Sequence, residues 1–122
     1  MTTCDLSLSY LNRGRRDIAK FRYYGYQSEV VPDVSPSSFG SGGLDMLGTL
    51  FTWVNDLGLV LDVPAGLIYV VACRRKHLLE FWKRAYGKER PGSRQYESAE
   101  ILRRKLEELN PRKLYALVAY EF

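Results

Sequence analysis

Positive charge is missing from the whole middle of this chain. No lysine or arginine occurs between Arg22 and Arg74, and the charged residues of that stretch are a few scattered acids. Such a segment is expected to form an apolar, weakly acidic packing unit beside one or two basic surfaces. We therefore expect partners to dock on the two basic flanks.

Size and composition predict one domain over residues 1–122. Of the 122 residues, 46% are hydrophobic, which is enough to build a core that folds unaided. Cys4 and Cys73 have no C-x-x-C spacing, and His77 is the only histidine. We therefore expect no disulfide framework, no metal and no cofactor.

No targeting signal is recognisable in this sequence. The residues before Leu6 lack the basic region and the apolar run of a secretory signal. The most apolar stretch, residues 57–73, is shorter than a membrane-spanning helix needs and contains Asp62 and Pro64. These features predict a cytoplasmic protein without a transmembrane segment.

The first quarter of the chain is expected to contain two strands around a short helix. Apolar and polar residues alternate up to Tyr10, which indicates a strand. A short helix closed by Gly25 and a strand over residues 26–31 would follow, the order of a crossover between parallel neighbours. The alternative is a hairpin that turns at residues 12–14 and continues as a long aromatic strand.

A loop and a helix are expected next. Residues 34–43 are dominated by serine, glycine and proline, which predicts a flexible loop. Apolar residues then recur at helical spacing from Leu44 to Leu57, and Gly58 lies where that helix would end.

Residues 67–73 admit two interpretations. Their β-branched and aromatic residues suit a strand, followed by a separate helix. A helix beginning at Arg74 would, however, place three consecutive cations at the positive end of its dipole. For this electrostatic reason we favour one continuous helix from Pro64 onward, with a strand over residues 67–73 as the alternative.

The end of the chain predicts a helix and a closing strand. Residues 96–109 carry apolar side chains along one side and end at Asn110, and residues 114–122 are rich in tyrosine, leucine and valine. The predicted fold class is therefore α+β: a small sheet, formed by a βαβ start and a C-terminal strand, covered by three helices.

Groups suited to catalysis are few in this sequence. His77 has cationic neighbours and no evident nucleophile or carboxylate in register with it. The acids Asp45, Asp56 and Asp62 each have a local explanation at a helix end or a turn, so a metal site is not expected. A small enzyme with an unrecognised site, built from Asp62, His77 and a tyrosine, is kept as an alternative.

The basic flanks supply the candidate binding residues. Arginine and tyrosine together suit both protein interfaces and phosphate chains. The first flank contributes Arg13, Arg15, Arg16, Lys20, Arg22 and Tyr23. The second flank contributes Arg74, Arg75, Lys76, Lys83 and Arg84.

These observations favour a binding or regulatory module over an enzyme. We expect the basic surface to dock on an acidic protein partner, as an adaptor or an inhibitor would. Nucleic-acid binding through the same surface is the alternative, because phosphate contacts need the same cations.

Overall fold

The computed structural model describes residues 4–22, 30–32, 34, 39 and 46–121, which contain both strands and helices. The strands are β1 (Cys4–Tyr10), β2 (Leu61–Ala65), β3 (Ile68–Cys73) and β4 (Tyr115–Glu121). The helical elements are a 3-10 helix (Gly14–Arg22), α1 (Met46–Asp56), α2 (Arg75–Tyr86) and α3 (Arg94–Glu107). The predicted α+β class is confirmed.

The four strands form one antiparallel sheet in the order β1-β4-β3-β2. The predicted C-terminal strand is confirmed, and it lies inside the sheet rather than at its edge. Leu117 of β4 pairs with Leu8 of β1 on one side and with Val71 of β3 on the other. β4 therefore joins the beginning of the chain to its middle.

The two faces of the sheet are covered by different elements. Leu8, Val71 and Leu117 belong to the core shared with the three α-helices, in which Trp53 meets Phe81 at a ring distance of 5.1 Å. On the opposite face, Val70 and Val118 pack with residues of the 3-10 helix. Because β3 is buried on both faces, its residues form a continuous apolar run instead of an alternating pattern.

The preferred interpretation of residues 67–73 as helix is wrong. Ile68–Cys73 is strand β3, Gly66 turns the chain with a φ of +55°, and the helix begins separately at Arg75. A dipole penalty near a surface is worth a few tenths of a kcal/mol up to about 1 kcal/mol. β3 is paired with a strand on each edge and buried on both faces, and this stabilisation outweighs the dipole penalty. Considering only the charges at the helix start leaves that stabilisation out.

The short helix near the start is confirmed as the 3-10 helix, and the alternative hairpin at residues 12–14 is wrong. The strand expected over residues 26–31 lies mostly outside the described residues. Where it is described, Val30 forms an antiparallel bridge with Ser9, so the parallel arrangement expected for the crossover is not the one found. A crossover connects two parallel strands, whereas the bridge between Ser9 and Val30 is antiparallel.

The expected flexible loop over residues 34–43 also lies largely outside the described residues. Two of its residues are described, and both are buried in the core: Val34 is 1% exposed and Phe39 is 4% exposed. The Tyr86 hydroxyl donates a hydrogen bond of 2.7 Å to the Phe39 carbonyl.

Helix α3 matches the predicted helix with a shift of about two residues at each end. Ser93 caps it, its hydroxyl accepting the Tyr96 N–H at 3.1 Å. On this helix Arg103 pairs with Glu100 and Glu107, and its guanidinium beside Glu100 lowers the pKa of that carboxyl. No helix in the described residues is both long and apolar enough to cross a membrane.

Candidate functional site

At one end of the sheet, strands β1 and β3 end and strand β4 begins. Tyr115, the first residue of β4, pairs with Tyr10 at the end of β1 and with Cys73 at the end of β3. The residues that follow β3 and those that precede β4 therefore leave the sheet side by side. Both of these connections are basic.

This end of the sheet gathers positive charge. The Arg74 guanidinium donates to the Arg112 carbonyl at 3.5 Å, which places the two connections in contact. We define the basic end as Arg74, Arg75, Lys76, Arg112 and Lys113. Within the described residues none of the five forms an ion pair with a carboxylate. Adjacent cations without compensating acids create a positive potential that attracts anions.

The connection before β4 is held by its own hydrogen bonds. The Asn110 side-chain oxygen accepts the Arg112 N–H at 2.9 Å, and the Asn110 carbonyl accepts the Lys113 N–H at 3.2 Å. The Tyr115 hydroxyl in turn accepts the Asn110 N–H at 2.9 Å. Because these bonds fix the backbone, Arg112 and Lys113 are presented from an ordered turn.

Arg75 has a structural role within the basic end. Its guanidinium donates to the Glu107 carbonyl at 3.1 Å and to the Leu109 carbonyl at 3.4 Å, both at the end of α3. The carbonyls at a helix C-terminus carry partial negative charge and have no intrahelical partner. Arg75 therefore links the start of α2 to the end of α3, whereas Arg74, Lys76, Arg112 and Lys113 are exposed.

His77 completes the start of α2. Its Nδ1 accepts the Arg74 N–H at 3.1 Å, the reciprocal bond of a capping box, and its carbonyl accepts the Trp53 indole N–H at 2.9 Å. Burial, together with the positive charges of Lys76 and Arg74, lowers the pKa of His77 below its usual value near 6.5. The imidazole is therefore neutral at pH 7 and serves as a hydrogen-bond acceptor.

The cations of the first flank are mostly engaged by acids. Asp17, 2% exposed, accepts the Arg13 backbone N–H at 2.9 Å and the Arg13 guanidinium at 2.8 Å, and it lies 3.6 Å from the Lys20 amine. The Arg13 backbone bond is the main reason that the pKa of Asp17 is lowered. Arg15 pairs with Asp62 at 2.9 Å.

The remaining predicted residues are distributed over the molecule. Arg16 and Arg22 are exposed on the 3-10 helix, and Tyr23 lies outside the described residues. On α2, Lys83 is exposed, and Arg84 pairs with Asp56 at 2.7 Å and Glu80 at 3.3 Å. The 3-10 helix packs on one face of the sheet and α2 on the other, so the cations carried by these two helices lie on different sides of the sheet.

Sequence reasoning missed Arg112 and Lys113. They become part of the site because β4 pairs with β3, a contact between segments more than thirty residues apart in the chain. The signal that could have found them is the strand pattern of residues 67–73. Had that segment been assigned as a strand beside the closing strand, the two basic connections would have been expected at the same end.

The residues kept for an enzyme alternative are in different places. Asp62 lies on β2 and pairs with Arg15 from the 3-10 helix, whereas His77 lies on α2, which covers the other face. Asp56 forms an ion pair with Arg84, and Asp45 lies outside the described residues.

Removing the Arg75 guanidinium tests its structural role. We expect Arg75→Met to lower the free energy of unfolding by about 1 kcal/mol, because two carbonyls at the end of α3 lose a charged donor. Lys76→Met, which removes the same charge one residue further on, should change it by less than about 0.5 kcal/mol. Urea unfolding followed by circular dichroism measures both, and equal effects of the two substitutions would contradict the assignment.

The lowered pKa of His77 predicts how stability depends on pH. The unfolded chain binds a proton at His77 near pH 6.5, whereas the folded chain binds it only at lower pH. The free energy of unfolding should therefore be highest above pH 6.5 and should fall as the pH drops below that value toward the folded pKa.

His77→Gln provides the matched control for this pH dependence. Glutamine at this position keeps an acceptor for the Arg74 N–H but does not titrate. Since the chain has no second histidine, the variant should lose most of the dependence between pH 5.5 and 7. The urea concentration at the midpoint of unfolding, measured at several pH values, tests this effect. If that midpoint depends on pH in the variant as it does in the unmodified protein, another group is responsible.

Comparisons with known proteins add no assignment to this geometry. No protein-family model, curated protein or solved structure matches the chain. The arrangement of charges at the basic end is therefore the basis for assigning a function.

Proposed function

We propose that this protein is a binding module that docks on an acidic segment of a protein partner through the basic end. The supporting observation is that cations from two connections meet at the end of the sheet and have no carboxylate partner within the described residues. Such an arrangement favours association with a negatively charged surface and steers its approach.

The role assigned to each cation follows from its contacts. Arg74, Lys76, Arg112 and Lys113 are exposed and would contact the partner, with the ordered Asn110 turn reducing the entropy lost on binding. Arg75 supports them by linking the start of α2 to the end of α3. The first flank contributes less, since Arg13 and Arg15 are already paired with Asp17 and Asp62.

A protein partner is favoured over nucleic acid by the aromatic residues at this end. Proteins that hold single-stranded nucleic acid combine cations with exposed aromatic rings on which bases stack. Here Tyr10 and Tyr115 contact each other at a ring distance of 5.9 Å, and Tyr115 is buried. These two rings support the strand ends instead of offering a stacking platform.

The proposal includes a non-enzymatic, regulatory role in a reducing, cytoplasmic setting. It is supported by Cys73, which forms no disulfide and lies fully buried between the sheet and the α-helices. Burial raises the pKa of the Cys73 thiol far above its usual value, so this thiol is unreactive.

A charge-reversal variant tests the proposed function. The variant replaces three exposed cations of the basic end, Arg74→Glu, Lys76→Glu and Lys113→Glu, and leaves Arg75 in place. We expect the affinity for a fluorescein-labelled ten-residue peptide of alternating Glu and Asp to fall at least about tenfold, because like charges then face each other. Fluorescence anisotropy at 50 and 150 mM salt measures the dissociation constants.

A control variant with the same change in net charge replaces three exposed cations elsewhere: Lys83→Glu, Lys88→Glu and Arg90→Glu. It should bind the peptide within about threefold of the unmodified protein at 150 mM salt, where distant charges are screened. An equal loss in both variants would show that only net charge matters. Tighter binding of a 20-base-pair DNA duplex or a 20-nucleotide RNA than of the peptide would assign the surface to nucleic acid instead.

A further inference from the structure

A groove runs along the 3-10 helix, away from the basic end. It consists of a cavity of about 440 Å³ beside the turn between β2 and β3 and a second of about 260 Å³ between the 3-10 helix and β2. Arg22 lines both cavities, so it lies between them. The larger cavity also touches Ile68 and Tyr120, which pair at the sheet end opposite to Cys73 and Tyr115.

Arg22 is a cation of this groove that forms no ion pair within the described residues. Arg15, which lines the smaller cavity, is paired with Asp62 at 2.9 Å. Glu121, which lines the larger cavity, accepts a hydrogen bond of 2.6 Å from the Tyr69 hydroxyl. Within the described residues no carboxylate lies within ion-pair distance of Arg22. A guanidinium in this position is suited to bind a carboxylate from outside with two parallel hydrogen bonds.

Apolar side chains are exposed on both sides of Arg22. Val63 lines the smaller cavity and is 53% exposed, and Leu67 lines the larger one and is 55% exposed. Both belong to the segment that contains no lysine or arginine, so the edge of the sheet lacks the lysines that commonly guard edge strands. Large apolar side chains grouped at an edge are typical of interaction surfaces.

The neighbouring strand edge favours a peptide as the occupant. β2 is the last strand in the sheet order, and its outer edge pairs with no strand among the described residues. Pro64 removes one amide donor from this short edge, so side chains in the groove must supply most of the contact. An extended peptide places alternate side chains on one face, at a spacing of about 7 Å.

We propose that this groove binds an extended segment of a protein partner in which an acidic residue is flanked, two positions away on each side, by apolar residues. The acidic side chain binds Arg22, and the two apolar side chains cover Val63 and Leu67. Period-two alternation brings these three peptide residues onto the same face. The site is separate from the basic end, so the module would hold two segments at opposite ends of its sheet.

Selection from a phage-displayed library of random octapeptides tests this inference. Panning on the unmodified protein should enrich sequences of the type apolar-x-acidic-x-apolar. Panning on Arg22→Gln should not enrich them. Absence of enrichment on the unmodified protein, or enrichment of the same sequences on Arg22→Gln, would overturn the proposal.

Fluorescein-labelled copies of the enriched peptides then measure the contribution of each contact. Arg22→Gln should raise the dissociation constant roughly tenfold or more, and replacing the peptide's acidic residue by its amide should have no further effect in that variant. Leu67→Ser should also weaken binding. Arg16→Gln, on the same helix but outside the groove, is the matched control and should bind normally.

The charge-reversal variant of the basic end separates this inference from the proposed function. It should bind the enriched peptides as the unmodified protein does, because its substitutions lie at the other end of the sheet. A loss of binding in that variant would show that the peptides bind the basic end, and would overturn the groove assignment while leaving the proposed function in place.

Discussion

The antiparallel pairing of β3 with β4 is the constraint on which the rest of this structure depends. Both strands lie inside the sheet, and side chains on both of their faces are buried. The register places Cys73 opposite Tyr115, which determines where the chain leaves the sheet and where α2 begins. A cluster of cations that are far apart in the sequence follows directly from that register.

The separation of charge along the sequence is partly undone in three dimensions. Asp62 of the middle segment pairs with Arg15 of the first flank, and Asp56 pairs with Arg84 of the second flank. Such exposed or half-exposed pairs contribute little to stability, but they remove cations from the set that a partner can use. Among the cations that form no ion pair within the described residues, those of the basic end lie together at one end of the sheet, and Arg22 lies in the groove toward the other end.

Local patterns in the sequence predicted most of the elements. The apolar spacing of α1 and α3 reflects one buried face, and such a pattern can be recognised without knowing the partner that covers it. The alternation before Tyr10 also predicted β1, although its polar residues Ser7 and Ser9 are buried as well. β3 cannot be recognised by alternation, because a strand buried on both faces has none. Three cations are tolerated at the start of α2 because His77 caps this helix and the carbonyls at the end of α3 accept Arg75. Because β3 was not recognised, the site was only half predicted. Arg74 and Lys76 were named, but Arg112 and Lys113 join them only through long-range strand pairing.

The most direct test of this account is whether residues 68–73 pair with β4 in solution. In an isotope-labelled sample, nuclear Overhauser spectroscopy should show cross-strand contacts from Ala72 to Ala116 and from Val70 to Val118. Contacts of the helical type between residues three apart over 68–73, without those cross-strand contacts, would contradict the register. The basic end would then no longer bring Arg74 and Arg112 together, and the proposed function would lose its support.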